Sequence, residues 1–114
     1  MAVTYTIALP EPAQARGSNP RLSFTAEGAE EFANQLQRAL RSDTLFQAWC
    51  ATQEEPEDVD PLLGATDTTA SVRGSQDDLR ILLHITTALP STVLKHRLHL
   101  LAGSHWELRD VRLS

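Results

Sequence analysis

The 114-residue chain predicts an α+β fold with two helices packed on a mainly antiparallel sheet of four to six strands. Three patterns predict it: apolar residues alternate near the start of the chain, recur at helical spacing in its middle, and alternate again toward its end. The predicted element order is β-(β)-α-α-β-β-β-β, and helices set apart from a run of strands are typical of two-layer α+β domains. The length, with 41% hydrophobic and 22% charged residues, favours a single domain over residues 1–114.

The first predicted strand covers residues 3–9, where β-branched and aromatic residues alternate with smaller ones. Pro10 and Pro12 end it, because proline donates no ladder hydrogen bond. Residues 10–20 then predict a loop, and residues 21–24 predict a short second strand with two inward apolar side chains.

Two helices are predicted between residues 29 and 53. The first has an apolar face at three- and four-residue spacing, with acids in its first turn and arginines in its last. Ser42-Asp43 predicts a break, and a shorter helix follows over 44–53. The apolar face of the first helix consists of Ala29, Phe32, Ala33, Leu36 and Leu40.

An acidic loop is predicted over residues 54–68. This stretch contains six acidic residues and two prolines but no basic residue. Like charges so close in sequence repel one another when packed together, so we expect the loop to be exposed to water.

The last third of the chain predicts antiparallel strands. Residues 74–78 predict a turn, and the strand that follows over 79–85 is apolar on both sides because of Leu82. Apolarity on both sides is typical of a central strand.

Two further strands are predicted near the end of the chain. One covers residues 93–101, and a hairpin connection at 102–104 leads to the last strand. Trp106 and Leu108 fall on one face of that strand, whereas the apolar residues beyond them have the opposite parity. A bulge near 109–110 would bring them to one face.

Charge and composition limit the partners that this chain is expected to bind. The net charge of −5 argues against nucleic acid. The single cysteine, Cys50, is typical of a reducing compartment, and the sequence shows neither a signal peptide nor a stretch of about 20 apolar residues. We therefore expect a cytoplasmic protein without membrane contact, and the preference for arginine over lysine is typical of GC-rich bacterial coding.

The sequence contains no convergent set of catalytic or metal-ligating residues, so we predict neither an enzyme nor a bound cofactor or metal. The four histidines lack the spacing of a metal motif. Cys50 follows an aromatic residue on a short helix, as a small apolar packing residue would. A strip of basic residues on one sheet face is expected to be solvated, and it comprises Arg80, Lys95, Arg97, His99, Arg109 and Arg112.

The main functional hypothesis is a non-enzymatic protein-interaction module of adaptor, chaperone-like or inhibitor type. An exposed acidic loop would steer a partner with a basic surface toward the chain. The predicted partner-binding residues are Glu54, Glu55, Glu57, Asp58, Asp60, Leu62 and Leu63.

Two alternatives remain open from the sequence. The first is a small-ligand or enzymatic pocket between helices and sheet, lined by Trp49, His84, His96 and Trp106. The second is a homodimer through the sheet face that carries Leu82.

Overall fold

A computed structural model describes residues 2–113 and confirms the predicted α+β class, with three helices and a four-stranded antiparallel sheet. The elements, in chain order, are β1 (Val3–Leu9), α1 (Ala29–Arg41), α2 (Thr44–Cys50), β2 (Ser71–Asp77), β3 (Arg80–Thr87), α3 (Ser91–Ala102) and β4 (Glu107–Leu113).

The strands lie in the order β2-β3-β1-β4, and each neighbouring pair is antiparallel. The element order β-α-β-β-α-β with these two central strands is the split β-α-β arrangement known as the ferredoxin-like topology. Helix α2 is an addition to this pattern, because it follows α1 directly and precedes β2.

The two faces of the sheet differ in chemistry. Alternate residues of β1, such as Tyr5 and Ile7, are buried and belong to the core that the sheet shares with α1 and α3. The intervening residues Thr4 and Thr6 pair with Thr86 and His84 across the strands and are partly exposed. The sheet therefore has one buried apolar face and one open, mostly polar face.

Several sequence predictions are confirmed. The strand over 3–9 and the helices near 29–41 and 44–50 are present, and β3 is one of the two central strands. The predicted bulge is also present, since the register between β1 and β4 shifts between Thr6 and Ile7.

The bulge explains the parity change in β4. Asp110 lies opposite Thr6 and Leu108 lies opposite Ile7, so Arg109 is the extra residue. As a result, Leu108 lies on the helix side of the sheet together with the apolar residues that follow it, Val111 and Leu113.

The predicted strand over 93–101 is wrong, because these residues lie in α3. Alternation of Leu94, Leu98 and Leu100 suggested a strand, but the first two of these are also four residues apart, as on a helix face. The buried side chains include Val93, Leu94, Arg97, Leu98 and Leu101, and this spacing places them on one helical face.

Three smaller predictions are also wrong. Residues 21–24 form no strand, although Leu22 and Phe24 are buried as expected. The predicted turn at 74–78 is mostly part of β2, and the reversal occurs at Asp78, whose φ is 58°. The predicted hairpin at 102–104 is the end of α3, where Gly103 has a φ of 63° that favours glycine.

Candidate functional site

The acidic segment, residues 54–60, lies on the surface between α2 and β2. All five of its carboxylate side chains belong to exposed residues. The ion pairs found within residues 2–113 involve other acids, so none of the five is neutralised by a nearby cation. The segment therefore presents a cluster of uncompensated negative charge to solvent.

Short-range hydrogen bonds give this part of the chain a defined shape. Two single 3-10 turns, Pro56–Asp58 and Pro61–Gly64, each begin at a proline. The carboxylate of Asp60 accepts a hydrogen bond from the backbone N–H of Leu62 at 2.9 Å, which caps the second turn.

A buried arginine on α3 holds the second turn against the core by hydrogen bonds. Arg97 is fully buried, and its guanidinium donates to the carbonyl oxygens of Leu63 at 3.0 Å and Ala65 at 2.7 Å. It also donates to the carbonyl of Ala39 at 2.6 Å, near the end of α1. One side chain thus joins α3, α1 and the base of the acidic segment.

A close ring contact holds the same turn against α2. A Cβ atom added at Gly64 would lie 2.6 Å from the ring of Phe46, which is closer than real Cβ contacts allow. A side chain at this position would force the turn or the ring to move, so the turn packs directly on the aromatic ring.

Hydrogen bonds to Asp67 hold the end of the predicted loop against the end of β3. Its carboxylate accepts hydrogen bonds from the Thr87 hydroxyl at 2.8 Å, the Ala88 N–H at 2.9 Å and the Thr69 hydroxyl at 2.7 Å. Hydrogen bonds from Ala88 and then Thr69 hold the pKa of Asp67 well below its usual range. The loop is exposed at its acidic segment and anchored where it rejoins the sheet.

The two leucines of the predicted partner-binding set have different surroundings. Leu62 is 51% exposed and lies next to the acidic residues, so it offers apolar surface beside the charge. Leu63 is half-buried, and its carbonyl is held by Arg97. Sequence patterns do not predict this anchoring, because they group Arg97 with a solvated basic strip.

Of the four predicted pocket residues, the structure brings two into ring contact. The rings of Trp49 and His96 meet edge to face with centroids 4.5 Å apart. Burial, followed by the charges of Arg97 and His99, lowers the pKa of His96, whose Nδ1 is buried without a hydrogen-bond partner in the described residues.

The other two predicted pocket residues lie elsewhere. His84 is on the open face of the sheet, with its Nδ1 3.4 Å from the Thr6 hydroxyl. Trp106 follows α3, and its indole N–H donates to the carbonyl of Gly103 at 3.0 Å.

The predicted basic strip on one sheet face is wrong. Arg97 is buried, and Lys95 and His99 lie on α3 rather than on a strand. Within residues 2–113, no group of three His, Cys, Asp or Glu residues is arranged to hold a metal ion. Cys50 is half-buried at the end of α2 and forms no disulfide.

A second surface feature, which we call the arginine groove, lies beside α1 and α2. It has a volume of about 570 Å³, and its apolar lining residues include Leu22, Leu45 and Ala48. Its lining also includes Arg21, Arg38 and Arg41. These residues come from three separate segments, so only the fold could reveal the groove. No carboxylate forms an ion pair with these arginines in the described part of the chain.

None of the helices between residues 2 and 113 has the length and apolar character needed to cross a membrane. Comparison of the chain with protein-family models, with curated proteins and with solved structures gives no match.

Proposed function

We propose that this chain is a non-enzymatic protein-interaction module that binds a partner with a basic surface through its acidic segment. The observation that carries this proposal is that five exposed carboxylates form no ion pair with other described residues and stand on a firmly anchored base. Electrostatic complementarity of this kind mainly raises the rate of association and selects among partners.

The anchoring supports this proposal because it lowers the conformational entropy that the acidic segment loses when a partner binds. A charged loop that is already held in shape loses less conformational freedom when a partner docks than a freely moving loop does. Arg97, the Phe46–Gly64 contact and Asp67 each restrict the chain near the acidic segment. Leu62 adds exposed apolar area next to the charge.

The proposal can be tested by capture of partners from the source lysate with two matched variants. Glu54→Gln/Glu55→Gln/Glu57→Gln removes three charges from the acidic segment. Glu27→Gln/Glu30→Gln/Glu31→Gln, called the α1 variant, removes three charges just before and within the first turn of α1, where all three acids are likewise exposed. Both variants change the net charge equally, so they separate a local effect from an overall one.

We expect a salt-sensitive partner that the native chain and the α1 variant retain and that the acidic-segment variant loses. Measured association rates should fall for the acidic-segment variant and depend less on ionic strength. Equal capture and equal salt dependence for the two variants would refute a role for the acidic segment.

A second candidate function is the binding of a small amphipathic anion in the arginine groove. Apolar lining residues and guanidinium groups that form no ion pair within residues 2–113 suit a ligand with an alkyl or aromatic body and an anionic head. This candidate places the ligand beside α1 and α2 rather than at Trp49 and His96.

The groove can be tested by titration with decanoate as the probe. We expect Arg21→Gln/Arg38→Gln to weaken decanoate binding severalfold, because both guanidiniums line the groove. Arg73→Gln/Lys95→Gln is the matched control, since it also removes two positive charges and both residues are exposed and absent from the groove lining. Equal binding by both variants, or no binding by the native chain, would exclude this function.

A further inference from the structure

Strand β4 is an edge strand with apolar side chains left open to solvent. It pairs with β1 on one side only and ends the sheet. Leu108, Val111 and Leu113 are 41%, 50% and 78% exposed, although all three lie on the helix side of the sheet. They border a groove of about 390 Å³ between β4 and α3. An unpaired edge next to apolar surface is a template for another strand.

When two copies of β4 are placed side by side and antiparallel, opposite charges face each other and apolar side chains face each other. In an antiparallel pair of two copies centred between Arg109 and Asp110, each of these residues faces the other in the second copy. Glu107 then faces Arg112, and Leu108 faces Val111. Two steps outward from the Leu108–Val111 pair, the half-buried Trp106 faces Leu113.

The faces of the sheet agree with this pairing. Glu107 and Arg112 both lie on the open face, opposite Ala8 and Thr4 of β1. Leu108 and Val111 both lie on the helix side, so each proposed pair joins side chains that point to the same side.

Neighbouring registers lack this complementarity. Moving the centre onto Arg109 places that arginine opposite its own copy and Leu108 opposite Asp110. Moving it onto Asp110 places two aspartates together and Leu108 opposite Arg112. Like charges directly opposite one another destabilise a strand pair, so a single register is favoured.

We infer that β4 is a self-association edge, on which a second copy of this chain adds antiparallel to form a continuous eight-stranded sheet. The four charged residues of β4 disfavour pairing with unrelated strands, as charges on edge strands commonly do. Because of their order along the strand, the same charges form opposite-charge pairs with a second copy. The bulge lies at the centre of the pairing, and because both copies carry it, the residues still match one to one.

A charge-swap series tests this inference by sedimentation over a range of protein concentrations. Glu107→Arg and Arg112→Glu each replace two intermolecular ion pairs with two like-charge pairs, and we expect each to weaken dimerisation about tenfold or more. The double variant Glu107→Arg/Arg112→Glu restores opposite charges across the interface and should dimerise like the native chain.

The double variant also separates intermolecular from intramolecular effects. Within one chain, Glu107 pairs with Arg109 and Asp110 with Arg112, and the swap breaks both pairs. Asp77→Arg is the matched control, because Asp77 lies on β2, the other edge strand, and also loses an ion pair, with Arg80. It should dimerise normally.

Disulfide trapping tests the register independently. In a Cys50→Ser background, chains carrying Leu108→Cys are mixed with chains carrying Val111→Cys and oxidised. The mixture should form a crosslinked heterodimer, whereas two copies of position 108 would lie about 10 Å apart, beyond disulfide reach. A native chain that stays monomeric at all concentrations, single variants that dimerise normally, or a swap that fails to restore dimerisation would overturn the inference.

Discussion

Arg97 is the residue on which the arrangement of the acidic segment most depends. Burial of a guanidinium costs free energy. Hydrogen bonds from Arg97 to three backbone carbonyls offset that cost, and no carboxylate of the described residues contacts the side chain directly. Burial lowers the pKa of Arg97, while the charge of Asp43 partly opposes this effect. The Ala39 carbonyl lies near the negative end of α1, where a cation is favoured.

Replacing Arg97 should therefore loosen the chain at a distance from α3. We expect Arg97→Met to lower the free energy of unfolding by about 3 kcal/mol, because three carbonyl groups lose their buried donor. Arg97→Lys should recover only part of this loss, since one ammonium lacks the planar fork of donors. Urea unfolding measures the stability, and hydrogen exchange measures the release of residues 61–68. A loss below about 1 kcal/mol with unchanged exchange would contradict this role.

The lowered pKa of Asp67 predicts that the stability of the fold depends on pH. Its pKa in the folded state is lowered from the ordinary value of 3.8, so the stability it contributes is present above that value and is lost as the pH falls below it. Asp67→Asn should cost about 1–3 kcal/mol at neutral pH, because an amide accepts the Thr87, Ala88 and Thr69 hydrogen bonds less well than a carboxylate.

Urea unfolding between pH 2 and pH 7 would measure this difference. The native chain and the Asn variant should converge in stability as the pH falls. Parallel curves across the whole range would show that Asp67 is protonated alike in the folded and unfolded states.

At the scale of elements, the sequence predicts a helix or strand correctly where the spacing of its apolar residues fits only one of the two periods, helical or alternating. Apolar residues alternate without interruption over 3–9, and the apolar residues of α1 fit only the helical period. Helix α3 was missed because its leucines satisfy both periods and its one buried cation, Arg97, resembled a solvated residue. Periodicity cannot distinguish a buried arginine from an exposed one, since its partners are carbonyls from distant segments.

The packing of the 3-10 turn on α2 yields a prediction at this scale. Gly64→Ala would place a methyl group against the Phe46 ring, so the turn or the ring must move. We expect a loss of about 1–3 kcal/mol in the free energy of unfolding, as for other overpacked sites. Phe46→Leu combined with Gly64→Ala should recover part of that loss by removing the ring. Calorimetry of both variants would test this, and equal stability of Gly64→Ala and the native chain would contradict it.

At the scale of the whole molecule, charge and apolar surface are distributed to different sides of the fold. The acidic cluster could be predicted from residues 54–60 because it is continuous in sequence. The arginine groove and the β4 edge could not, since each depends on which segments the fold brings together. The open sheet face, where the sequence suggested a homodimer, carries mostly hydroxyl and charged side chains around the half-buried Leu82.

The two dimer surfaces make opposite predictions for a matched pair of substitutions. Leu108→Thr removes apolar area from the proposed β4 interface and should weaken dimerisation about threefold to tenfold. Leu82→Thr makes the same chemical change on the open face of β3 and should leave dimerisation unchanged. Thermal unfolding at several protein concentrations provides the measurement, because dimerisation makes the midpoint temperature rise with concentration. If Leu82→Thr abolishes that rise and Leu108→Thr preserves it, the copies associate through the open face instead of the edge.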